Sequence, residues 1–552
     1  MIYTDTRGTP EPIPQLDVLT FLFDSPGSLA RDDTIIHAEA ANPRNGVTKA
    51  QARILTRRIA ATLRNRFGIG KNGPGKDIVV VISSGQFMLP VLFYGILAAG
   101  GVASLASPSF VPQELARQIQ QGGAKLCISC AFTQDTLLSA AHLAGIPLHR
   151  CLVFESPTTS APWKLRQLTG SSRVNIVGSD ELDWERITDR HQLENSLICL
   201  LYSSGTTGPP KGVMMSHTNM VAETAISGIS VRQMWAADGK FDYRTLAHLP
   251  TAHVAGVQGY FIIPFYHGGT TYWMPKFDFV EFLKYNEELK ITSFFTVPPI
   301  YLAIAKSPLV KNQFASLKTA TGGAAPMGKE LQLEAGKKMG VRILQTWGLS
   351  ETTGSATLSD HREEDLTGSV GLVLGHIEIR LVDDNGKDCA PGTPGEVLIR
   401  GPTITKGYYN NPTANAESFS EGFLCTGDIG LFKGNKLYIV DRKKELIKYK
   451  GLQIAPAELE ALLLSHPHIL DAGVIGVFSD ELATEVPRAY VVADPKTVSA
   501  DEIKEFVKGR LAAYKQLRGG VVFVPAIPKS PSGKILRKEL RAMAAQTPKA
   551  KL

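Results

Sequence analysis

The chain has 552 residues, 43% of them hydrophobic and 20% charged, with a formal net charge of +7. At that length one hydrophobic core does not serve the whole chain, so a multi-lobed body and at least one smaller domain are expected. The mild basic balance suits small anions such as nucleotides, and the lack of basic runs interleaved with aromatics speaks against nucleic acid.

The opening stretch, MIYTDTRGTPEPIPQ, has no apolar core segment of the signal-peptide kind. Further on, the chargeless run from Ser83 to Gln113 is long enough to span a bilayer, but Pro90, Gly95 and the pair Gly100-Gly101 interrupt it. With the strand DIVVVISSG leading into it, the run reads as a buried helix, a glycine turn and a second strand, VASLAS, so no transmembrane segment is expected. Cys127 and Cys130 form a C-x-x-C inside AKLCISCAF, which reads as a buried strand; Cys151, Cys199, Cys389 and Cys425 are scattered, with no second pair to complete a metal site. That usage fits a reducing compartment.

From about Asp77 to Gly348 apolar strands alternate with amphipathic helices. SLICLLY, ITSFFTVP and VRILQTWG are strands, and GKELQLEAGKKMG is a helix between two of them. The alternation predicts an α/β body on parallel sheets. After about Gly368 short strands joined by Asx and Pro-Gly turns predict a β-rich subdomain. A charged run from Asp441 to Lys448, next to a strand and ahead of a helix near Pro456, reads as a hinge opening a small α+β domain over 441–552, after a first domain over 1–440. The last three residues, Ala550, Lys551 and Leu552, resemble a C-terminal peroxisomal address of the S-K-L type, which implies an import receptor as partner and a peroxisomal location, otherwise a cytoplasmic one.

The densest chemistry lies in YSSGTTGPPKG. Gly205 and Gly208 let backbone N–H groups converge behind a buried strand; Ser203, Ser204, Thr206 and Thr207 add hydroxyls, and Lys211 adds a fixed positive charge. Together they can surround a polyphosphate. A P-loop is excluded: Lys211 follows Gly208 by three residues and not directly, Pro209-Pro210 cannot lie inside a helix, and no Ser or Thr follows the lysine.

This loop resembles the phosphate-loop signature of the adenylate-forming superfamily of acyl-CoA synthetases, luciferases and nonribosomal adenylation domains. Further motifs arrive in the superfamily's order: GGAAPMGKEL, QTWGLSETT, TGD, VDRKKELIKYKGLQIAPAELE and PKSPSGKILRKEL. VPPIYLAIAKSP and IKYKGLQIAPAELEALL are most similar to the 4-coumarate–CoA ligase-like group. The resemblance implies an N-terminal AMP-binding domain (1–440) and a mobile C-terminal domain (441–552) carrying a catalytic lysine. It also implies a reaction in two halves, with ATP, magnesium and coenzyme A.

Site roles follow by resemblance. Lys534 bridges the substrate carboxylate and the α-phosphate. Glu351 is the magnesium ligand, with Ser350 beside it for phosphate. Asp428 accepts from the ribose hydroxyls, and Arg442 is the second contact. Gly323, Ala324, Ala325, Gln345, Thr346 and Trp347 form the purine slot; the family commonly has tyrosine where Trp347 stands, so stacking is retained and a phenol hydrogen bond lost. Lys444 takes the hinge position, Lys448 a position contacting AMP, and Lys450-Gly451 one contacting coenzyme A. His253 stands at the mouth of the acyl pocket. Two residues on, Ala255 replaces the coumarate ligases' tyrosine, which leaves the pocket larger there and opens fatty, phenyl-alkanoic and polyketide-like acids as substrates. The implied activity is an AMP-forming carboxylic acid–CoA ligase. The alternative is transfer of the adenylated acyl group to a carrier protein or to oxygen, and a non-catalytic nucleotide binder would have lost a key charge among Lys211, Glu351, Asp428, Arg442 and Lys534.

Overall fold

A computed structural model describes residues 1–156, 163–169, 174–203, 210–236, 242–450, 452–530 and 533–546. Its first sheet has seven strands, with Ile78–Ile82 at the centre, flanked by Val102–Ala106 and Leu126–Cys130. These three strands are buried along their whole length, as strands covered on both faces by helices must be. The chargeless run does form a strand, a buried helix Leu89–Ala98 and a second strand. Among the described residues no helix is long and apolar enough to cross a membrane. Cys127 and Cys130 lie on the buried strand, and the described residues hold no group of three or more metal-ligating side chains.

The sheet's far edge is antiparallel: Leu197–Ser203 turns back through Lys211–Ser216, which leads into the helix His217–Ala236. A four-stranded sheet with Arg244–Ala247 and Thr270–Trp273 packs alongside.

The third sheet departs from the sequence reading. Parallel strands Ser293–Thr296, Thr319–Gly322 and Ile343–Leu349 continue without a break into antiparallel Gly354–Leu358, and the sheet runs on through Lys436–Arg442 and Phe423–Lys433. The expected β-rich subdomain is thus the second half of one ten-stranded sheet. Its last strand in chain order, Lys436–Arg442, carries Asp441 and Arg442 beyond the boundary expected after 440.

The C-terminal part has its own core, built by Ile454, Leu459, Leu463, Val474, Val491 and Ile503. Three strands, Asp471–Ser479, Thr484–Val492 and Val521–Phe523, carry it with helices Pro456–Leu464 and Ala500–Lys508. The two parts join at Asp441, whose carboxylate accepts from the Ala457 N–H at 2.9 Å and so caps the first turn of Pro456–Leu464.

Candidate active site

The hairpin that frames the anion loop sets Ser203 directly opposite Lys211. Ser204, Gly205, Thr206, Thr207 and Gly208 lie outside the described residues, as does Gly451. The Lys211 ammonium stands 4.8 Å over the ring of Tyr408. Tyr408 donates its phenol to Glu351 Oε1 at 2.9 Å, and the Glu351 carbonyl accepts from the Thr405 N–H at 2.9 Å. Segment 405–409 therefore clips the Lys211 strand to the turn Ser350–Thr352. Tyr408 is absent from the sequence reading; its signal is the Tyr408-Tyr409 pair after Gly407 in a polar stretch. A magnesium ion fits a carboxylate placed this way, since it usually takes one or two carboxylates and completes its shell with phosphate and water.

Asp428 and Arg442 face each other across neighbouring strands, with Nε to Oδ1 at 3.6 Å. The indole N–H of Trp347 donates to Asp428 Oδ2 at 2.8 Å. Burial raises the Asp428 pKa, while Arg442, the Trp347 hydrogen bond and Lys534 oppose that rise. Trp347 thus has a hydrogen bond of its own where the family's phenol is lost. Thr346 is buried and donates to the Thr357 carbonyl at 2.6 Å; Gln345 is tied to Gln332 at 2.9 Å. Gly323 must be glycine: a Cβ there would lie 2.9 Å from Thr346. Ala324 follows with φ of +69°, turning the chain under the site, and Ala325 continues it.

Lys534 arrives from the other part of the chain. Its loop is closed by Ser530, whose Oγ accepts from the Lys534 N–H at 3.1 Å, and by Gly533 at φ +80°. The glycine seats against Val297 and Pro299, with a virtual Cβ 3.1 Å from the Pro299 ring. The Lys534 ammonium is thereby set among Arg442, Glu351, Asp428 and His253. Burial, then Arg442, lowers its pKa; Glu351 and Asp428 work against that. Burial, with the Lys534 charge adding to it, lowers the His253 pKa to about 3.

The cavity beside His253 is small, about 10 Å³, which is room for about one water, and is lined by Leu249, Pro250, Ala255, Phe295, Val297 and Ala324. The wide space expected behind Ala255 is not there, because the chain folds back so that a Cβ on Gly256 would lie 2.4 Å from the Pro250 carbonyl. A larger cavity, about 300 Å³, opens elsewhere, between the helix Lys329–Met339 and Glu363–Leu366, away from every charged group named above.

The model of the AMP-binding enzyme family matches residues 30–409, and that of the AMP-binding enzyme C-terminal domain matches 458–534. The chain belongs to the AMP-binding enzyme family. It is 48% identical to a protein of Emericella nidulans that carries an acyl-coenzyme A synthetase name, over 96% of each chain. It is 36% identical to a phenylacetyl-CoA ligase of Aspergillus niger, over 96% of this chain and 97% of that one. Among solved structures, ATP-bound MatB from Rhodopseudomonas palustris superposes with a TM-score of 0.82 at 24% identity, over 96% of this chain and 99% of that one. The fold is that of the adenylate-forming superfamily.

In this AMP-binding enzyme the lysines expected to serve a second step are more exposed than Lys534. Lys444 and Lys448 are exposed, and Lys448 is the middle residue of the strand Ile447–Tyr449, which pairs with Leu452–Ile454 in a two-stranded hairpin. The Lys448 N–H donates to Glu485 at 2.7 Å. Lys450, also exposed, holds φ of +47° at the hairpin's tip and donates its N–H to Thr484 at 2.9 Å.

Proposed function

We propose that the chain is an ATP-dependent, AMP-forming carboxylic acid–CoA ligase. The acid's carboxylate attacks the α-phosphorus of ATP, a P–O bond breaks, and pyrophosphate leaves. The thiol of coenzyme A then attacks the acyl carbon, losing its proton, and AMP leaves with the carboxyl oxygen. The single observation that carries this reading is the placing of Lys534, from the C-terminal part, among Asp428, Arg442, Glu351 and His253 of the large part.

Two anions must meet in the first half, so a desolvated cation between them is the main requirement. Lys534 supplies it, and His253, neutral at physiological pH, borders the acid without adding charge. Asp428 holds the ribose and Arg442 supports it. Ser203 to Gly208 with Lys211 hold the phosphates. Glu351 would hold magnesium, which neutralises phosphate charge. Lys444 is the hinge about which the C-terminal part turns, bringing Lys448 to the AMP and Lys450-Gly451 to coenzyme A. Relatives named for phenylacetate and 4-coumarate keep aryl acids among the substrates beside fatty acids. The terminal Ala550, Lys551 and Leu552, outside the described residues, are proposed as the ligand of a peroxisomal import receptor.

The test is a panel of acids, from cinnamates to long fatty acids, assayed for pyrophosphate release with ATP and for thioester with coenzyme A. Acid-dependent pyrophosphate release followed by CoA-dependent thioester is expected. Adenylate formation from many acids with no thioester would overturn the reading in favour of another acyl acceptor.

A further inference from the structure

One side chain touches two of the charges that the phosphate site would use. Tyr408 is 8% exposed. Its phenol donates to Glu351 Oε1 at 2.9 Å, and the Lys211 ammonium stands 4.8 Å over its ring. Among the described residues no carboxylate lies within ion-pair distance of Lys211, and no hydrogen bond reaches Glu351 Oε2. Both charges therefore rest on the same tyrosine, and one carboxylate oxygen stays open.

The backbone of Tyr408 is held from two sides. It bridges to Val213, and next to that bridge the Tyr409 N–H donates to the Gly212 carbonyl at 2.8 Å. On the other side the Asn415 side chain accepts from the Tyr408 N–H at 2.6 Å and donates to the Tyr408 carbonyl at 3.0 Å. A Cβ on Gly407 would lie 2.5 Å from Asn415 Oδ1, so that pairing needs the glycine. A fixed backbone thus carries the phenol to a point where it meets both charges. A lysine and a glutamate that line one site attract each other, and a pair formed between them would have to break before a polyphosphate and its cation could enter. The neutral phenol takes up one carboxylate oxygen and the negative face of the ring attracts the ammonium, so each charge is held without being cancelled.

We propose that Tyr408 is a positioning residue for the polyphosphate and its magnesium ion: the phenol turns Glu351 so that Oε2 is presented to the metal, and the ring keeps Lys211 apart from Glu351 and ready for phosphate. This rests on the ATP-dependent reading above. Carboxylates that ligate a metal are in turn hydrogen-bonded, and losing such a partner costs roughly ten- to a hundredfold in metal affinity or activity. A tyrosine that served packing alone would not distinguish ATP with metal from ATP without it.

The experiment measures ATP affinity by calorimetry on the full chain, with no acid and no coenzyme A so that nothing turns over, once with excess magnesium and once with EDTA. The ratio of the two dissociation constants, metal-free over magnesium-loaded, reads what the metal contributes. Tyr408→Phe should lower that ratio by roughly tenfold and leave the metal-free constant within about twofold. In a Glu351→Gln background the same Tyr408→Phe change should move the ratio by less than about twofold, because the phenol acts through the carboxylate. Tyr408→Met, which fills the space without a ring face, should in addition raise the metal-free constant by roughly threefold as Lys211 turns to Glu351. A ratio unchanged in Tyr408→Phe, a ratio that rises, or an equal fall in both backgrounds would each overturn the proposal. A metal-free constant unchanged in Tyr408→Met would overturn the part given to the ring. If Tyr408→Met fails to fold, the cycle between Tyr408→Phe and Glu351→Gln decides. Because ATP is bound here without an acyl group, a failure to make thioester from any acid would sink the ligase reading and leave the role of Tyr408 standing.

Discussion

The indole of Trp347 donates to the Asp428 carboxylate, so in the proposed reaction one side chain would both wall the purine slot and orient the ribose acceptor. A hydrogen bond to a charged acceptor is worth roughly 1.5–3 kcal/mol, but a ribose hydroxyl can recover part of it once the donor is removed. Trp347→Phe should therefore raise the KM for ATP by roughly fivefold with a smaller change in kcat, measured as pyrophosphate release at saturating acid. An unchanged KM would mean that the ribose displaces the indole entirely. The charged residues set the pH dependence. His253 has a folded pKa of about 3, below its unfolded value, so it is neutral in the folded chain between pH 5 and 8. The stability it contributes is present in full above its unfolded pKa near 6.5 and is lost as pH falls from there toward the folded value of about 3. Adenylation should show no limb near pH 6.5 from this residue. Lys534 is also lowered, so its ammonium is lost on the alkaline side earlier than an ordinary lysine's, and adenylation should fall there. Docking of the loop against the large part becomes easier over the same rise, because the desolvated charge disappears. Lys534→Arg, which stays charged, should move that limb to higher pH; a limb that does not move would detach it from this amine.

The loop that carries Lys534 is shaped by Gly533. Its φ of +80° is one that L-residues rarely adopt, and its Cα lies against Val297 and Pro299. Gly533→Ala adds strain and a contact at 3.1 Å, at a cost of about 1–2 kcal/mol, so pyrophosphate release should fall by roughly tenfold. Thioester formation from supplied acyl-adenylate should fall by much less; equal losses would argue that the loop serves both steps. Other elements differ in how far the sequence exposes them. Strands Ile78–Ile82 and Leu126–Cys130 are runs of apolar and β-branched residues bounded by breakers, and such runs can be read directly. The join between Ile343–Leu349 and Gly354–Leu358 cannot be read, because no local pattern tells a strand which sheet it will extend. His253 and Lys534 lie far apart in the sequence, so their proximity depends on how two domains dock and not on any spacing.

At the scale of the molecule, the arrangement seen here is the one that presents Lys534 and leaves Lys448 and Lys450 exposed. The helix Pro456–Leu464 rests on the large part where a Cβ on Gly328 would lie 3.1 Å from the Ala461 Cβ. Gly328 has φ of −69° and ψ of 156°, which any residue tolerates, so Gly328→Cys with Ala461→Cys is close to disulfide geometry after a shift of a few tenths of an ångström. Of the native cysteines, Cys127, Cys130, Cys151 and Cys199 are buried, and the part-exposed Cys389 and Cys425 are replaced by serine in every variant tested. Oxidation should fix the C-terminal part in place. If the second half needs that part to turn, the oxidised double variant will release pyrophosphate in a single turnover at close to its reduced rate and form almost no thioester. Dithiothreitol should restore thioester formation, and neither single variant should respond to oxidant. Thioester formed by the oxidised protein at the reduced rate would show that Lys448 and Lys450 are not delivered by rotation, and both halves of the reaction would then have to be explained from the one arrangement that places Lys534 beside Asp428.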